Sequence, residues 1–257
     1  MDFHKFVESV GRWVLKKSKS TGTIAILFWQ TFKNLNKASI KETIKQMAKL
    51  GVDSLPIVIV TTTAAGMVFS VQTAQEFAKL GAGDTVGGIV TIAMGRELVP
   101  ILAGVVVAGR VGAAITAEIG SMKVTEQIDA LRVMAISPII YLVVPRFLAC
   151  VFMLPVLAIF ANIVGTWGAY FVANIYAGIT SYSYLHSVKT FCVPFDVVGG
   201  LIKCMFFGGI ISIIGCHKGL TTVTGAEGVG ISTTNSVVLS IILIFITNYF
   251  LSVFLYV

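Results

Sequence analysis

The chain has 257 residues, of which 56% are hydrophobic and only 12% charged, with a mean hydropathy of +0.91. A soluble domain carries about 25% charged residues. This composition therefore excludes an ordinary cytosolic enzyme and a disordered chain, and the long apolar runs point to an all-α polytopic membrane protein. The net charge of +7 is placed for a membrane surface, not for nucleic acid, because ten Lys and Arg precede the first apolar span.

Residues 3–14 put Phe3, Phe6, Val7, Val10, Trp13 and Val14 on one helical face, with Lys5 and Arg12 among the polar residues between them. This spacing predicts an amphipathic helix in the membrane interface. Residues 24–29 are apolar but too short to span, so a dip into the headgroup layer is expected. Lys37, Lys41 and Lys45 recur every four residues, with Ile40, Ile44 and Met47 opposite, which predicts a second surface helix over 37–49. The division expected is thus a basic interfacial region at 1–50 and a membrane domain at 51–257.

Five spans follow at roughly 53–76, 97–117, 147–172, 196–216 and 236–257, each of about twenty residues, as about 30 Å of hydrocarbon requires. Residues 84–96 extend the second span outward, and Pro100 is expected to kink it or to sit in its first turn. With the N-terminus in the cytoplasm, the inner segments hold fourteen Lys and Arg against three outside. That bias fixes a cytoplasmic N-terminus and an outer, periplasmic C-terminus. No cleavable signal peptide is expected. Cys150, Cys192, Cys204 and Cys216 lie far apart and read as packing residues; no metal site is suggested.

The inner loop 118–146 carries the most information. Val124, Ile128, Leu131 and Ala135 share one helical face, Thr125, Glu126, Asp129 and Arg132 fill the other, and Ser137-Pro138 ends the run. Anionic lipid would repel Glu126 and Asp129, so a helix that docks into a protein groove is favoured over one lying on the membrane.

The run from Gly109 to Leu131, GRVGAAITAEIGSMKVTEQIDAL, resembles the signature of the MlaE-type permease family. Further matches, in family order, are Gly51 to Pro56 (GVDSLP), Arg96 to Pro100 (RELVP), Pro138 to Arg146 (PIIYLVVPR) and Gly225 to Gly230 (GAEGVG). Val99 departs from the pattern, which usually has Gly there. Members of this family are membrane subunits of ABC transporters that move phospholipid or other lipids between bacterial membranes or across plastid envelopes. The resemblance implies a coupling helix at about 122–135 seated on a separate ATPase subunit, with Glu118, Lys123, Glu126, Gln127, Asp129 and Leu131 as its contact set. It also implies a homodimer, an outer-facing lipid-binding partner with an MCE domain, and the bacterial inner membrane. No phosphate-cradling loop of the form GxxxxGK[ST] occurs, so no nucleotide cofactor and no enzyme activity of its own is expected.

Ionisable residues inside a membrane are functional by default. Arg110 lies roughly 20 Å along the helix from Glu97, and Lys203 about 10 Å inside the fourth span. A regular helical wheel puts Arg96 and Arg110 within about 40° of each other. Arg96, Glu97 and Lys203 are candidates for a lipid headgroup site near the outer side, since phosphate needs cations. The alternative is structural pairing, for which Asp196 or Glu97 of another helix would serve. Gly66, Ser70 and Ala74 form a small-residue stripe, as do Gly104, Ala108 and Gly112; both read as close helix packing. A homodimer interface is expected to use the first or second span. Two other functions compete with this one. A membrane-embedded enzyme would need a nucleophile–base pair or metal set, and none is spaced for it. An ion-coupled secondary transporter would favour midplane carboxylates.

Overall fold

The computed structural model describes the backbone of residues 3–223 and 225–256, with the side chains of Leu15, Ser18, Lys19 and those from Thr21 onward. Among these residues there are α-helices and short tighter or wider helical turns, and no strand. Five stretches are long and apolar enough to cross a membrane: Ile40–Lys79, Gly83–Val124, Ile139–Ala177, Pro194–Leu220 and Ala226–Tyr256. They run alternately up and down. One end of the stack, the loop end, carries 125–138, 221–223 and 225; the far end carries 80–82, 178–193 and the end of the last helix.

Helix α1 (Phe3–Lys33) is continuous for 31 residues. Residues 24–29 are therefore not a separate dip. They are the later part of α1, and Leu27 is buried while Phe28 packs its ring edge-on against Phe147. The face formed by the side chains of 3–14 lies outside the described residues. Helix α2 (Ile40–Gly51) starts at Ser39, whose hydroxyl accepts from the Glu42 amide. Ile40 and Ile44 stay exposed, as a surface helix requires, while Leu50 is buried. A single tight turn at Val52–Ser54 leads into α3 (Leu55–Lys79).

The second stretch is built from α4 (Val86–Ala93), α5 (Val99–Val107) and α6 (Ala113–Val124), joined by two π-turns at Met94–Leu98 and Ala108–Gly112. A π-turn inserts one residue and rotates everything beyond it. Arg96 reaches Asp196, whereas Arg110, about 21 Å further along the helix, donates to Ser54 Oγ at 2.9 Å. Val99, buried, continues the helix without strain, its amide bonding Met94 O. Pro100 follows in the first turn of α5 and has no amide to offer the Arg96 carbonyl four residues back.

The expected coupling helix is two pieces. α6 ends at Val124, the chain turns at Thr125–Glu126 with Glu126 left-handed (φ 60°), and a short α7 runs Gln127–Val133. Helix α8 (Val144–Ala177) returns to the far end. There the segment expected as an outer loop forms α9 (Ser181–Phe191), capped by the Thr180 hydroxyl. It lies on α4, where Ser187 Oγ accepts from the Gly88 amide and a Cβ on Gly87 would strike the Tyr184 carbonyl. Helices α10 (Pro194–Leu220) and α11 (Ala226–Tyr256) complete the stack; Gly225, at φ 94°, makes the turn before α11.

Both small-residue stripes are consumed inside the protomer. Gly66 meets the Gly165 backbone, and Ser70 donates to Ala169 O at 2.8 Å, so α3 rides closely on α8. Gly104 and Gly112 receive Phe207 and Ile211 of α10. These faces are therefore not the ones a second copy would use. Cys150, Cys204 and Cys216 are buried in the core with Met94, Ile115, Leu154 and Ile244.

Candidate functional site

Four charged side chains meet where α4–α5, α10 and α11 converge toward the far end. The π-turn at Met94–Leu98 carries two of them. Arg96 points to α10, where its Nε and Nη2 both lie 2.7 Å from Asp196 Oδ1. Glu97 points between α10 and α11. Its Oε1 accepts from Lys203 Nζ and Ser252 Oγ, each at 2.7 Å, and its Oε2 accepts from Asn248 Nδ2 at 2.9 Å. The missing donor of Pro100 is replaced by Lys203, whose ammonium reaches the Arg96 carbonyl at 2.9 Å. Close approach makes this geometry possible, since a Cβ on Gly200 would strike the Gly95 carbonyl.

Lys203 is fully buried, and its three N–H are matched by three acceptors: Arg96 O, Glu97 Oε1 and Ser252 Oγ. It has no donor left for a headgroup. Arg96 and Lys203 thus both have the cross-helix partners that the structural-pairing alternative calls for. Their counter-charges come from other helices, which spacing along one helix does not show. Asp196 also caps its own helix, accepting from the Val193 amide through Oδ2. Tyr256 lies across the cluster, its ring centroid 4.6 Å from Arg96 Cζ and 5.0 Å from Lys203 Nζ.

Sequence reasoning missed Asn248, Ser252 and Tyr256. A signal was present: Asn248 and Ser252 stand four residues apart in the otherwise apolar last turns of α11, which places them on one face.

An open apolar groove of about 660 Å³ runs along the other side of α10, walled by Phe28 and Phe32 of α1, Phe147, Met205, Phe206 and Leu243. Ile202 lines it, while its neighbour Lys203 faces Glu97. On α10 the groove runs from Ile202 toward Ile214, on a different face from the charge cluster and mostly on its loop-end side.

At the loop end the contact set expected for a coupling helix divides. Glu118 turns inward to Arg146 (3.0 Å) and Lys49 (3.3 Å), tying α6 to α8 and α2. Lys123 closes on Asp129 at 2.9 Å, Arg132 takes the other carboxylate oxygen, and Leu131 is buried with Ile128. The hydrogen bond from Lys123, with its charge and that of Arg132, holds the Asp129 carboxyl below its ordinary range. What faces outward is Glu126, Gln127, Val133 (87% exposed), Met134 (60%) and Ile136.

Among the described residues, no three His, Cys, Asp or Glu gather to hold a metal ion. The family model described as Permease MlaE matches residues 43–254. A probable ABC transporter permease protein of Synechocystis is 48% identical over 212 residues, 82% of this chain and 81% of the relative. Another, of Rickettsia prowazekii, is 40% identical over 96% of both chains. The chloroplastic protein TRIGALACTOSYLDIACYLGLYCEROL 1 of Arabidopsis thaliana is 39% identical over 91% of this chain and 67% of its own length. With a family model spanning most of the chain and relatives at this identity over nearly its whole length, the protein belongs to the MlaE permease family of ABC transporter permeases.

Proposed function

We propose that the chain is the lipid-handling membrane subunit of an ABC transporter, with a diacyl phospholipid as cargo. The observation that carries this reading is the Arg96–Asp196 and Glu97–Lys203 cluster held at one end of an apolar helical stack, with an apolar groove that starts beside it and runs toward the loop end. A lipid needs both features, polar groups for its head and apolar wall for its chains, and a small hydrophilic solute needs only the first. The Arabidopsis relative bears the name of a galactolipid, which is consistent with lipid cargo.

In this reading the basic N-terminal region lies on the cytoplasmic face of a bacterial inner membrane, in line with its charge excess. A separate ATPase seats on α7 through Glu126, Gln127 and the exposed Val133 and Met134. Two copies form the translocation path, and an MCE-domain protein receives or delivers lipid on the outer side, next to the charge cluster. ATP binding and hydrolysis belong to the partner. This chain supplies the route: α6 and α7 meet the moving ATPase, and the long continuous second stretch links α7 to Arg96 and Glu97.

The test is purification of the complex in detergent, with extraction and mass spectrometry of whatever lipid it retains. Stoichiometric phospholipid, together with an ATPase subunit, is expected. A complex that carries the ATPase but no lipid above the level of an unrelated membrane protein would overturn the lipid reading. One that carries lipid but no ATPase would overturn the docking.

A further inference from the structure

The charge cluster is electrically balanced, and this constrains what it can bind. Arg96 and Lys203 supply two positive charges; Asp196 and Glu97 supply two negative ones. A site built to attract an anion would hold surplus cation, and this one holds none. The valences left open are specific. Arginine has five N–H donors. Nε and Nη2 of Arg96 are turned to Asp196, which leaves Nη1 and the outer Nη2 hydrogen facing away. A carboxylate has about four lone-pair sites. Glu97 spends two on Oε1 and one on Oε2, leaving one on Oε2. Lys203 is saturated, and the Asp196 side chain is only 4% exposed. The two side chains that remain accessible are therefore one cation, Arg96 at 35%, and one anion, Glu97 at 36%, adjacent in sequence on the same π-turn.

We propose that the cluster selects a zwitterionic phospholipid headgroup of the phosphoethanolamine type. The phosphate engages the open edge of the Arg96 guanidinium, which can offer two parallel N–H donors. The primary ammonium donates to Glu97 Oε2. Lys203 and Asp196 are positioning residues: each neutralises and orients the accessible partner without touching the lipid. Tyr256 covers one flank of both cations. An anionic head such as phosphoglycerol finds Arg96 but meets the Glu97 carboxylate with like charge. A trimethylammonium head has the right charge but no N–H to donate. This deepens, and rests on, the lipid-permease reading.

The experiment places the purified transporter complex in nanodiscs of equal parts phosphatidylethanolamine, phosphatidylglycerol and phosphatidylcholine, then releases it gently and quantifies retained lipid by native mass spectrometry. Phosphatidylethanolamine is expected to be enriched roughly fivefold over phosphatidylglycerol, with phosphatidylcholine between. Because Glu97→Gln alone strands the buried Lys203, the second arm is the double variant Glu97→Gln with Lys203→Met, which removes both charges together. It should keep lipid but return the ratio to that of the disc. Enrichment of phosphatidylglycerol in the wild type, or a phosphatidylethanolamine preference that survives the double variant, overturns the headgroup assignment while leaving the permease a lipid carrier. Retention of no lipid at all overturns the underlying reading and this one with it. Excess soluble glycerophosphoethanolamine should leave the lipid in place; displacement would show that the site takes a free headgroup, against the proposal.

Discussion

The far-end and loop-end charge clusters use the same residue types for opposite purposes. At the far end each ion pair joins one nearly buried member, Lys203 or Asp196, to one that is a third exposed. Every N–H of Lys203 is satisfied, and Asn248 and Ser252 of α11 donate to Glu97. At the loop end Lys49, Lys123, Glu118, Asp129 and Arg132 are all at least 30% exposed, and only Arg146 is buried. Ion pairs that water or headgroups can reach contribute little to stability and leave the backbone free to move. Pairs that apolar helices surround are costly to break, because the member left behind has nowhere to discharge. The far end is thus built to hold a geometry. The loop end can shift when a partner presses on it.

The sharpest break in that contrast is Glu97→Ala. It strands a fully buried ammonium, so the complex should lose about 3–5 kcal/mol and purify in much lower yield. Lys203→Ala leaves a partly exposed carboxylate that keeps Asn248 and Ser252, and should cost less. Thermal unfolding in detergent ranks the two. Equal destabilisation would mean that burial does not set the asymmetry.

Next in size is Gly208→Ala, which tests packing in place of charge. A Cβ there would meet the Cys150 carbonyl, so α8 and α10 must separate, at about 1–3 kcal/mol. Gly109→Ala, where a Cβ meets nothing, should be neutral in the same assay.

Much of this fold was legible in sequence because membrane spans announce themselves by length and hydropathy. All five emerged, and the Gly66–Ala74 and Gly104–Gly112 stripes read correctly as helix contacts. Register did not emerge. The two π-turns insert residues that no hydrophobic pattern marks, so a regular wheel misplaces the side chains beyond each of them. The partners of Arg96 and Lys203 sit a hundred residues away on other helices; charge alone names Asp196 and Glu97 as candidates, but not which cation takes which. Helix α9 was missed because its eleven residues are mostly polar, although Thr180 as a cap and the Gly87-Gly88 pair that receives it were both visible.

Third, the loop end should respond to mutation in binding and not in stability. Val133→Asp with Met134→Asp adds charge to exposed apolar positions that contact nothing within the chain core. The melting temperature should hold while ATPase co-purification falls at least several-fold. Ile128→Asp, at a buried position of the same short helix, should lower both. If the outward pair leaves the ATPase bound, α7 is not the docking surface.

The smallest effect belongs to Asp129, and it separates local order from global fold. Lys123 and Arg132 hold its carboxyl below the ordinary range, so the ionised form is favoured in the folded chain. A depressed carboxyl contributes its stabilisation above the unfolded pKa of about 3.9 and loses it as pH falls through the lower folded value. Order in Gln127–Val133 should therefore be constant from neutral pH down to the carboxylate range and decline only below it. Amide exchange of these residues, corrected for the intrinsic pH dependence of exchange, reads this directly. Asp129→Asn should remove the acid decline and raise exchange at neutral pH by a factor of a few, with no change in the melting temperature, because the pair is exposed and joins only the end of α6 to α7. A loss of global stability in this variant would mean that the loop end is as tightly held as the far end, and the contrast between them would fail.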